Sequence, residues 1–275
     1  MEKELENLYP ATEIKSFYYL IVEKLSSWSR TEIIANKNTV FSEQQHQTML
    51  AFIKRLKNFE PIQYILGETE FYGLDFQVNA SVLIPRPETE ELVEWIQKEN
   101  ESKTVLDMLD VGTGSGCIAI SLKNIFPNAK VDAYDVSEKA LEVAIANAKK
   151  NSLLVNFSKV DILNQALQPS EKWDVIVSNP PYIPEQEKIE ILPNVLNHEP
   201  HLALFVPNDS PLLFYSAIAL FAIKNLKPKG KLYFEIHKDA GESCMELLSM
   251  LGFANIELRR DISGNDRMIR AQFIS

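Results

Sequence analysis

Residues 173–182 read WDVIVSNPPY, and this stretch decides the fold. Its first half alternates apolar and β-branched residues, which predicts a short buried strand over 173–178. Pro180 and Pro181 end that strand, because each lacks an amide donor and holds φ at about −65°. Asn179 and Tyr182 therefore stand at the carboxyl end of a strand, where open α/β sheets bind their ligands.

A planar NH2 group fits the turn that follows this strand. The side-chain oxygen of Asn179 and the carbonyl oxygen of Pro180 can each accept one N–H, while the ring of Tyr182 covers the flat face. Together with Pro181, these residues are the candidate catalytic positions. A Pro-Pro pair by itself is typical of an ordinary tight turn, so the chemical interpretation depends on a second stretch upstream.

That second stretch, residues 109–117, reads LDVGTGSGC and ends a predicted strand at 105–111. Glycines at a strand-to-helix turn let the backbone approach a ligand closely and leave amide groups free. A dinucleotide-binding turn has the spacing G-x-G-x-x-G, whereas the spacing here is G-x-G-x-G, with Cys117 in the place of the third glycine. This favours a nucleoside without a pyrophosphate, such as S-adenosylmethionine. The candidate cofactor-binding residues of the turn are Gly112, Thr113, Gly114, Ser115 and Gly116.

Two acidic residues lie where the next two predicted strands end: Asp135 at the end of strand 131–136, and Asp161 just after strand 155–160. Asp135 can accept both hydroxyls of a ribose, which is the role of an acid at this point in nucleoside-binding folds. Asp161 can accept from the exocyclic amine of adenine, and Ile162 can pack on the ring. Either acid alone is more typical of a surface. Placed at successive strand ends beside Asn179, they favour a nucleoside site.

Strand and helix patterns alternate from residue 103 onward, which predicts a mostly parallel sheet with helices on both faces. Helices are predicted at 118–125, 137–151, 212–226 and 240–251, and further strands at 231–236, 256–262 and 268–273. The last two strands are joined by the turn 263–266. They form a hairpin and so bring an antiparallel strand into the sheet.

The apolar pattern of the first ~70 residues predicts helices alone, without alternating strands. The first apolar stripe consists of Ile14, Phe17, Tyr18, Ile21 and Leu25, and the second of Met49, Leu50, Ile53 and Leu56. Ser42 followed by Gln45 predicts a capping box before the second stripe. A hairpin is expected over 70–78, and Thr89 is expected to cap a helix with an acidic first turn.

Composition and local sequence patterns argue against several classes of function. The net charge of −10, from 38 acidic and 28 basic residues, argues against a non-specific nucleic-acid binder. Cys117 and Cys244 lack metal-ligand spacing and fit a reducing cytosol. The amino terminus lacks the pattern of a signal peptide, and the apolar run 212–223 is too short for a bilayer, so a cytoplasmic protein is expected. Pro200 prevents helical geometry between His198 and His201, so no metal site is expected.

Taken together, these motifs give the chain a close resemblance to a known family. It resembles the glutamine methyltransferases of class 1 peptide chain release factors (the PrmC/HemK family). The matching stretches are 61–67, 84–90, 199–204 and 261–267. The turn Asn-Pro-Pro-Tyr is shared more widely, with enzymes that methylate amino groups of adenine, cytosine or guanine. The run PRPETE at 85–90 and the helical amino-terminal region are narrower markers, and they point to a protein substrate.

The resemblance implies an S-adenosylmethionine-dependent methyltransferase fold. Its α/β sheet would be mostly parallel and seven-stranded, with an antiparallel terminal strand, beside a small all-helical amino-terminal domain. It implies a substrate-docking domain at 1–69, a hairpin and linker at 70–92, and a catalytic domain at 93–275. The substrate would be the glutamine in the Gly-Gly-Gln loop of release factors. The protein would be a monomer without direct contact to nucleic acid or membrane.

One alternative remains open. A nucleic-acid amino-methyltransferase would use the same turn to hold a flipped adenine or cytosine. Such an enzyme is expected to carry basic residues around the site and an insert for target recognition. The chain offers no run of Lys or Arg and no insert of sufficient size.

Overall fold

The structure, a computed structural model, describes residues 1–36, 38–100, 105–164 and 172–274. Its helices are α1 (Glu2–Leu5), α2 (Ala11–Ser26), α3 (Arg30–Ala35), α4 (Glu43–Leu56), α5 (Ile62–Leu66), α6 (Pro87–Asn100), α7 (Cys117–Ile125), α8 (Glu138–Lys150), α9 (Pro193–Leu196), α10 (Leu213–Asn225) and α11 (Gly241–Met250). Its strands are β1 (Glu68–Phe71), β2 (Leu74–Gln77), β3 (Asp107–Val111), β4 (Lys130–Asp135), β5 (Asn156–Lys159), β6 (Trp173–Ser178), β7 (Ile183–Pro184), β8 (Phe205–Val206), β9 (Leu226–Glu235), β10 (Phe253–Arg260) and β11 (Asp266–Phe273). No helix within these ranges has both the length and the apolar character needed to cross a membrane.

Residues 1–68 form one compact unit, and the segment Leu192–His198 groups with it. Its core consists of Leu5, Ile14, Phe17, Ile21, Ile53, Leu56, Ile62 and Ile65. The capping box is confirmed, because the Ser42 side chain accepts from the Gln45 amide and the Gln45 side chain accepts from the Ser42 amide. The prediction of a buried apolar position is wrong for Tyr18 and Leu50, which are 37% and 46% exposed. Each lies at the edge of its stripe.

The second unit, residues 69–191 and 199–275, contains a sheet with the order β10-β11-β9-β6-β3-β4-β5. Strands β9, β6, β3, β4 and β5 run parallel to one another. Strand β11 is antiparallel to both β9 and β10. The predicted mostly parallel sheet with an antiparallel terminal strand is confirmed. The hairpin of β1 and β2 belongs to this unit as a separate two-stranded sheet.

Alternation along β6 separates two hydrophobic cores. Val175 and Val177 pack with residues of α6 and α7 on one face, whereas Ile176 packs with residues of α10 and α11 on the other. Because successive side chains of a strand point to opposite faces, a continuous apolar run fits a sheet that is covered on both sides. All three side chains are fully buried.

Two local predictions are wrong. Helix α6 begins at Pro87 rather than after Thr89, because proline at the first helical position is already set to a helical φ. Thr89 is buried in the first turn of the helix and bonds to another element. Strand β9 begins at Leu226 rather than 231, and its pairing with β6 shifts register between Leu226 and Lys231. The residues 227–230 therefore form an irregular section of a strand.

One carboxylate at the end of α6 joins this helix to strands β9 and β11. Glu99 accepts hydrogen bonds from Lys231 at 2.7 Å, Tyr233 at 2.7 Å, Trp95 at 2.9 Å and Arg270 at 3.1 Å. Burial alone would raise the pKa of this carboxyl, but the hydrogen bonds from Lys231, Tyr233 and Trp95 outweigh it and lower the pKa to about 2. The charged form of Glu99 is therefore stabilised in the folded state.

We expect Glu99→Gln to lower the free energy of unfolding at pH 7 by about 2 to 3 kcal/mol. Because the folded pKa lies below the unfolded one, this contribution is complete above pH ~5 and is lost as the pH falls towards ~2. Urea unfolding of both proteins at several pH values measures it. The exposed Glu94 on the same helix is the control, and Glu94→Gln should leave stability nearly unchanged. A deficit for Glu99→Gln that does not vary with pH would contradict the charge-based explanation.

Candidate active site

The carboxyl ends of four parallel strands meet at one edge of the sheet. The last residue of β6, Ser178, pairs with Val111 at the end of β3 and with Phe234 near the end of β9. Val111 in turn pairs with Tyr134 near the end of β4. The buried Ser178 hydroxyl also donates to the Val111 carbonyl at 2.6 Å. The segments that follow these strands therefore leave the sheet side by side.

A cavity lies at this edge and collects most of the predicted site residues. The predicted residues that line it are Gly112, Thr113, Gly114, Ser115, Asp135, Asp161, Ile162, Asn179, Pro180 and Pro181. Gly116 and Tyr182 are not part of its lining. The glycine turn, the acid at the end of β4, the acid after β5 and the proline turn after β6 thus border one space.

The glycine turn is held by its own hydrogen bonds. The amides of Gly112 and Thr113 both donate to the Tyr134 carbonyl, at 2.8 and 3.0 Å, and the Gly114 amide donates to Asp135 at 2.9 Å. Behind the turn, the Thr113 hydroxyl donates to Asp110 at 2.6 Å. The expectation that the amides of the turn stay free is wrong for these residues, because Tyr134 and Asp135 of β4 accept from them.

The glycines of the turn have two different functions. Gly112 and Gly114 have φ values of 74° and 56°, and a Cβ atom added to either would meet nothing within 4 Å. Their open sides thus leave room for a ligand. At Gly116, with φ 82°, an added Cβ would lie 2.9 Å from Ile120 Cδ1 and 3.2 Å from Ala144 Cβ. Gly116 therefore allows close packing of α7 against α8, beneath the cavity.

Asp135 stands at the boundary between protein and cavity. Its two carboxylate oxygens accept from the amides of Gly114 at 2.9 Å and Ser137 at 2.8 Å. Burial raises the pKa of this carboxyl above its ordinary value, and the two amides only partly offset that rise. Each carboxylate oxygen has two acceptor positions, so the group keeps capacity for hydroxyl donors from a ligand.

Asp161 and Ile162 border the cavity after β5. Asp161 is exposed, and its carboxylate accepts from the Leu163 amide at 3.0 Å. Ile162 is half-buried against the core that contains Ile176. The exposed position leaves the Asp161 carboxylate open to a polar ligand group, and Ile162 offers an apolar side chain next to it.

The proline turn places an amide at the cavity and a phenol behind it. Asn179 donates from Nδ2 to the Thr89 hydroxyl at 3.3 Å. Tyr182 donates to Glu235 at 3.2 Å and packs near the His237 ring, with the centroids 5.9 Å apart. Burial raises the pKa of the Tyr182 hydroxyl, so the phenol stays protonated. Its role as a cover for a substrate amide stays a prediction.

Sequence reasoning missed three polar residues around the cavity. Arg86 lines it and donates to the buried Glu199 at 2.6 Å, and Glu199 also accepts from the Ile84 amide at 3.4 Å. Glu235 is buried at the end of β9 and accepts from Thr89 at 2.6 Å. The sequence did contain a signal for Glu235, because it is an acidic residue at the end of an otherwise mostly apolar strand, in the run KLYFE at 231–235.

The described part of the chain contains no group of three or more His, Cys, Asp or Glu side chains arranged to hold a metal ion. Cys117 lines the cavity, but burial raises the pKa of its thiol to about 12. The thiol is therefore neutral at physiological pH and is a weak nucleophile.

Comparison with known proteins identifies relatives over almost the whole chain. The family model described as "Methyltransferase small domain" matches residues 87–202, and "PrmC N-terminal domain" matches residues 2–67. A protein of Flavobacterium psychrophilum named "Release factor glutamine methyltransferase" is 48% identical over 98% of this chain and 95% of its own length. A protein of the same name from Bacteroides thetaiotaomicron is 43% identical over 98% and 97%.

Among solved structures, a methyltransferase from Pyrococcus furiosus matches with a TM-score of 0.55. The match covers 85% of this chain and 100% of that one, at 18% identity. At this identity the likeness shows the fold alone. It agrees with the predicted methyltransferase fold, in which a mostly parallel seven-stranded sheet carries antiparallel terminal strands.

We expect Gly116→Ala to destabilise the protein more than a glycine replacement that causes only backbone strain. Gly252 has φ 86° and open space around its added Cβ, so Gly252→Ala isolates the strain, at about 1 to 2 kcal/mol. At Gly116 the contact with Ala144 adds an overpacking cost of about 1 to 3 kcal/mol. Urea unfolding of both variants compares the two losses. Equal losses would mean that α7 and α8 do not depend on close approach at Gly116.

Proposed function

The chain belongs to the release factor glutamine methyltransferase family, and from that premise we propose its reaction. It transfers a methyl group from S-adenosylmethionine to the side-chain amide nitrogen of the glutamine in the Gly-Gly-Gln loop of class 1 release factors. The observation that carries this proposal is the convergence at one cavity of the glycine turn, Asp135 and the Asn179–Pro180 turn.

The residues at the cavity fit an adenosine-type methyl donor. Asp135 has remaining acceptor capacity for the two ribose hydroxyls, and Gly112 and Gly114 present open faces beside it. Asp161 would accept from the adenine amine, with Ile162 packed on the ring. Thr113, Ser115 and Gly116 shape the turn. When bound, S-adenosylmethionine supplies a methyl group on a positively charged sulfur.

Asn179 and Pro180 would hold the amide that receives the methyl group. An amide nitrogen is a poor nucleophile because its lone pair is delocalised into the carbonyl. Asn179 Oδ1 and the Pro180 carbonyl would accept the two amide hydrogens and stabilise positive charge as it develops on nitrogen. Groups fixed in this way typically contribute about 3 to 4 kcal/mol each to lowering the barrier. Alignment of the amide contributes a further term, on the order of 7 kcal/mol.

Pro181 and Tyr182 complete the proposed catalytic turn. Pro181 lines the cavity and keeps the backbone from continuing the strand. We propose that the Tyr182 ring borders the plane of the substrate amide, supported from behind by its bond to Glu235. The reaction needs no side chain as general base, because a methylated amide that still carries both hydrogens is a strong acid and gives a proton to water.

The glycine turn, Asp135 and the proline turn border one cavity within the second unit, and we propose that the protein acts as a monomer. The net charge of −10 disfavours direct binding to nucleic acid. Release factors act in translation, so we propose a cytoplasmic location. We propose residues 1–69 as a docking domain for the substrate, 70–92 as a hairpin and linker, and 93–275 as the catalytic domain.

Incubation with labelled S-adenosylmethionine and separately with purified release factor, DNA and RNA tests the substrate class. We expect label only on the release factor, and no label when its Gly-Gly-Gln glutamine is replaced by alanine. Asn179→Ala should abolish transfer while the dissociation constant of the donor stays within a few-fold. Label on DNA or RNA would support the nucleic-acid alternative. Equal loss of donor binding and transfer would mean that Asn179 mainly holds the cofactor.

We expect Asp135→Ala to raise the dissociation constant of S-adenosylmethionine by about tenfold or more, because ribose hydroxyls lose a charged acceptor. Isothermal titration calorimetry measures this constant directly. Asp239, an exposed acid after β9 whose side chain is 75% exposed, is the matched control, and Asp239→Ala should leave the constant unchanged. An unchanged constant for Asp135→Ala would exclude the ribose assignment.

A further inference from the structure

A chain of hydrogen bonds runs from a buried carboxylate to the proposed catalytic amide. Glu235, at the end of β9, is 1% exposed and accepts from the Thr89 hydroxyl at 2.6 Å. Thr89, in the first turn of α6, is 2% exposed and accepts from Asn179 Nδ2 at 3.3 Å. Asn179 lines the cavity, as does Thr89. Three separate elements of the second unit thus meet through their side chains.

The number of available hydrogens fixes which group donates in each of these hydrogen bonds. A threonine hydroxyl has one hydrogen, and the short bond to a carboxylate, which is acceptor-only when ionised, takes it. The Thr89 oxygen is then left only with lone pairs towards Asn179. An asparagine amide has a donor end and an acceptor end, so Asn179 must turn its NH2 towards Thr89. Its Oδ1 is thereby the end available to a ligand.

We infer that Glu235 and Thr89 are positioning residues that hold Asn179 with Oδ1 towards the substrate. This inference rests on the proposed function, in which Oδ1 accepts a hydrogen from the substrate glutamine. A flipped Asn179 would present NH2 to the substrate NH2, and two donors would then face each other. The orientation of one amide group therefore decides whether the turn attracts or repels its substrate.

The orientation of Asn179 also depends on the charge of Glu235. Tyr182 donates to its second oxygen at 3.2 Å, and Arg267 on β11 and Glu88 on α6 act on it through space. Burial raises the pKa of this carboxyl; Arg267 and the two hydroxyls lower it, and Glu88 raises it. A protonated Glu235 could donate to Thr89, and Thr89 would then donate to Asn179 and favour the flipped amide.

Thr89→Val and Thr89→Ser separate the hydroxyl from the shape of the side chain. Valine has nearly the same shape but no hydroxyl, whereas serine keeps it. With the release factor as substrate, we expect Thr89→Val to lower kcat by about tenfold to a hundredfold. Thr89→Ser should stay within about threefold of the wild type. Unfolding curves identify any loss of folded protein, and donor binding by calorimetry identifies any effect on the cofactor. Equal kcat values for the valine and serine variants would overturn the inference.

The pH dependence of kcat, at saturating donor and substrate, tests the role of the charge. Because the ionised form supports activity, wild-type kcat should fall as the pH drops through the raised pKa of Glu235. The amide introduced by Glu235→Gln does not ionise, so the ratio of wild-type to variant kcat should fall towards acid pH. A ratio that stays constant between about pH 5 and 9 would contradict a role for the charge.

A measurement without substrate separates this inference from the proposed function. The side-chain NH2 resonance of Asn179, assigned as the signal missing in Asn179→Ala, reports its bond to Thr89. We expect this resonance to shift in Thr89→Val and to stay in place in Thr89→Ser. An unshifted resonance would overturn the orientation. If the resonance shifts but wild-type protein does not methylate the release factor, the orientation holds and the proposed function fails.

Discussion

The site depends on a central strand that is forced to stop. Strand β6 lies between β3 and β9, and its last residue, Ser178, is still paired on both sides. Asn179 would be the next residue in the ladder, but Pro180 and Pro181 cannot donate to either neighbour. The backbone therefore leaves the sheet within one residue, while β9 ends only one residue beyond its pairing with Ser178. This sudden end creates the cavity and presents Asn179 at its wall.

Three carboxylates, two of them buried, fix the surroundings of that strand end. Glu235 receives hydroxyls from α6 and from the proline turn, and Glu199 receives the Ile84 amide and the Arg86 guanidinium. Asp135 receives two amides, one from the glycine turn. Burial of a charge is costly unless each acceptor is satisfied, so these contacts exclude most alternative arrangements of the loops. A network of this kind contributes more to a defined geometry than to net stability.

Local patterns and long-range contacts differ in how far the sequence predicts them. Strand 173–178 and the capping box at Ser42 follow from neighbouring residues, and both are confirmed. The contacts of Glu235 with Thr89 and of Glu199 with Arg86 join residues 146 and 113 positions apart, so no local pattern contains them. For the same reason a cap at Thr89 was the natural prediction, because the acidic first turn is visible in the sequence and the distant Glu235 is not.

The two sides of the cavity are built from different kinds of structure. One side consists of the paired ends of β3, β4 and β6 and of the glycine turn, whose Gly112 and Thr113 amides bond to the Tyr134 carbonyl. The other side includes Leu202 and Ala203, in a short 3-10 turn before the two-residue strand β8, and Pro200 immediately before that turn. A methyl transfer needs close alignment of the donor with the nitrogen that accepts the methyl group. The paired strand ends would supply that alignment in the proposed reaction, whereas residues 200–203 precede a strand of only two residues, and Glu199, which precedes Pro200, accepts from Arg86 at the same cavity.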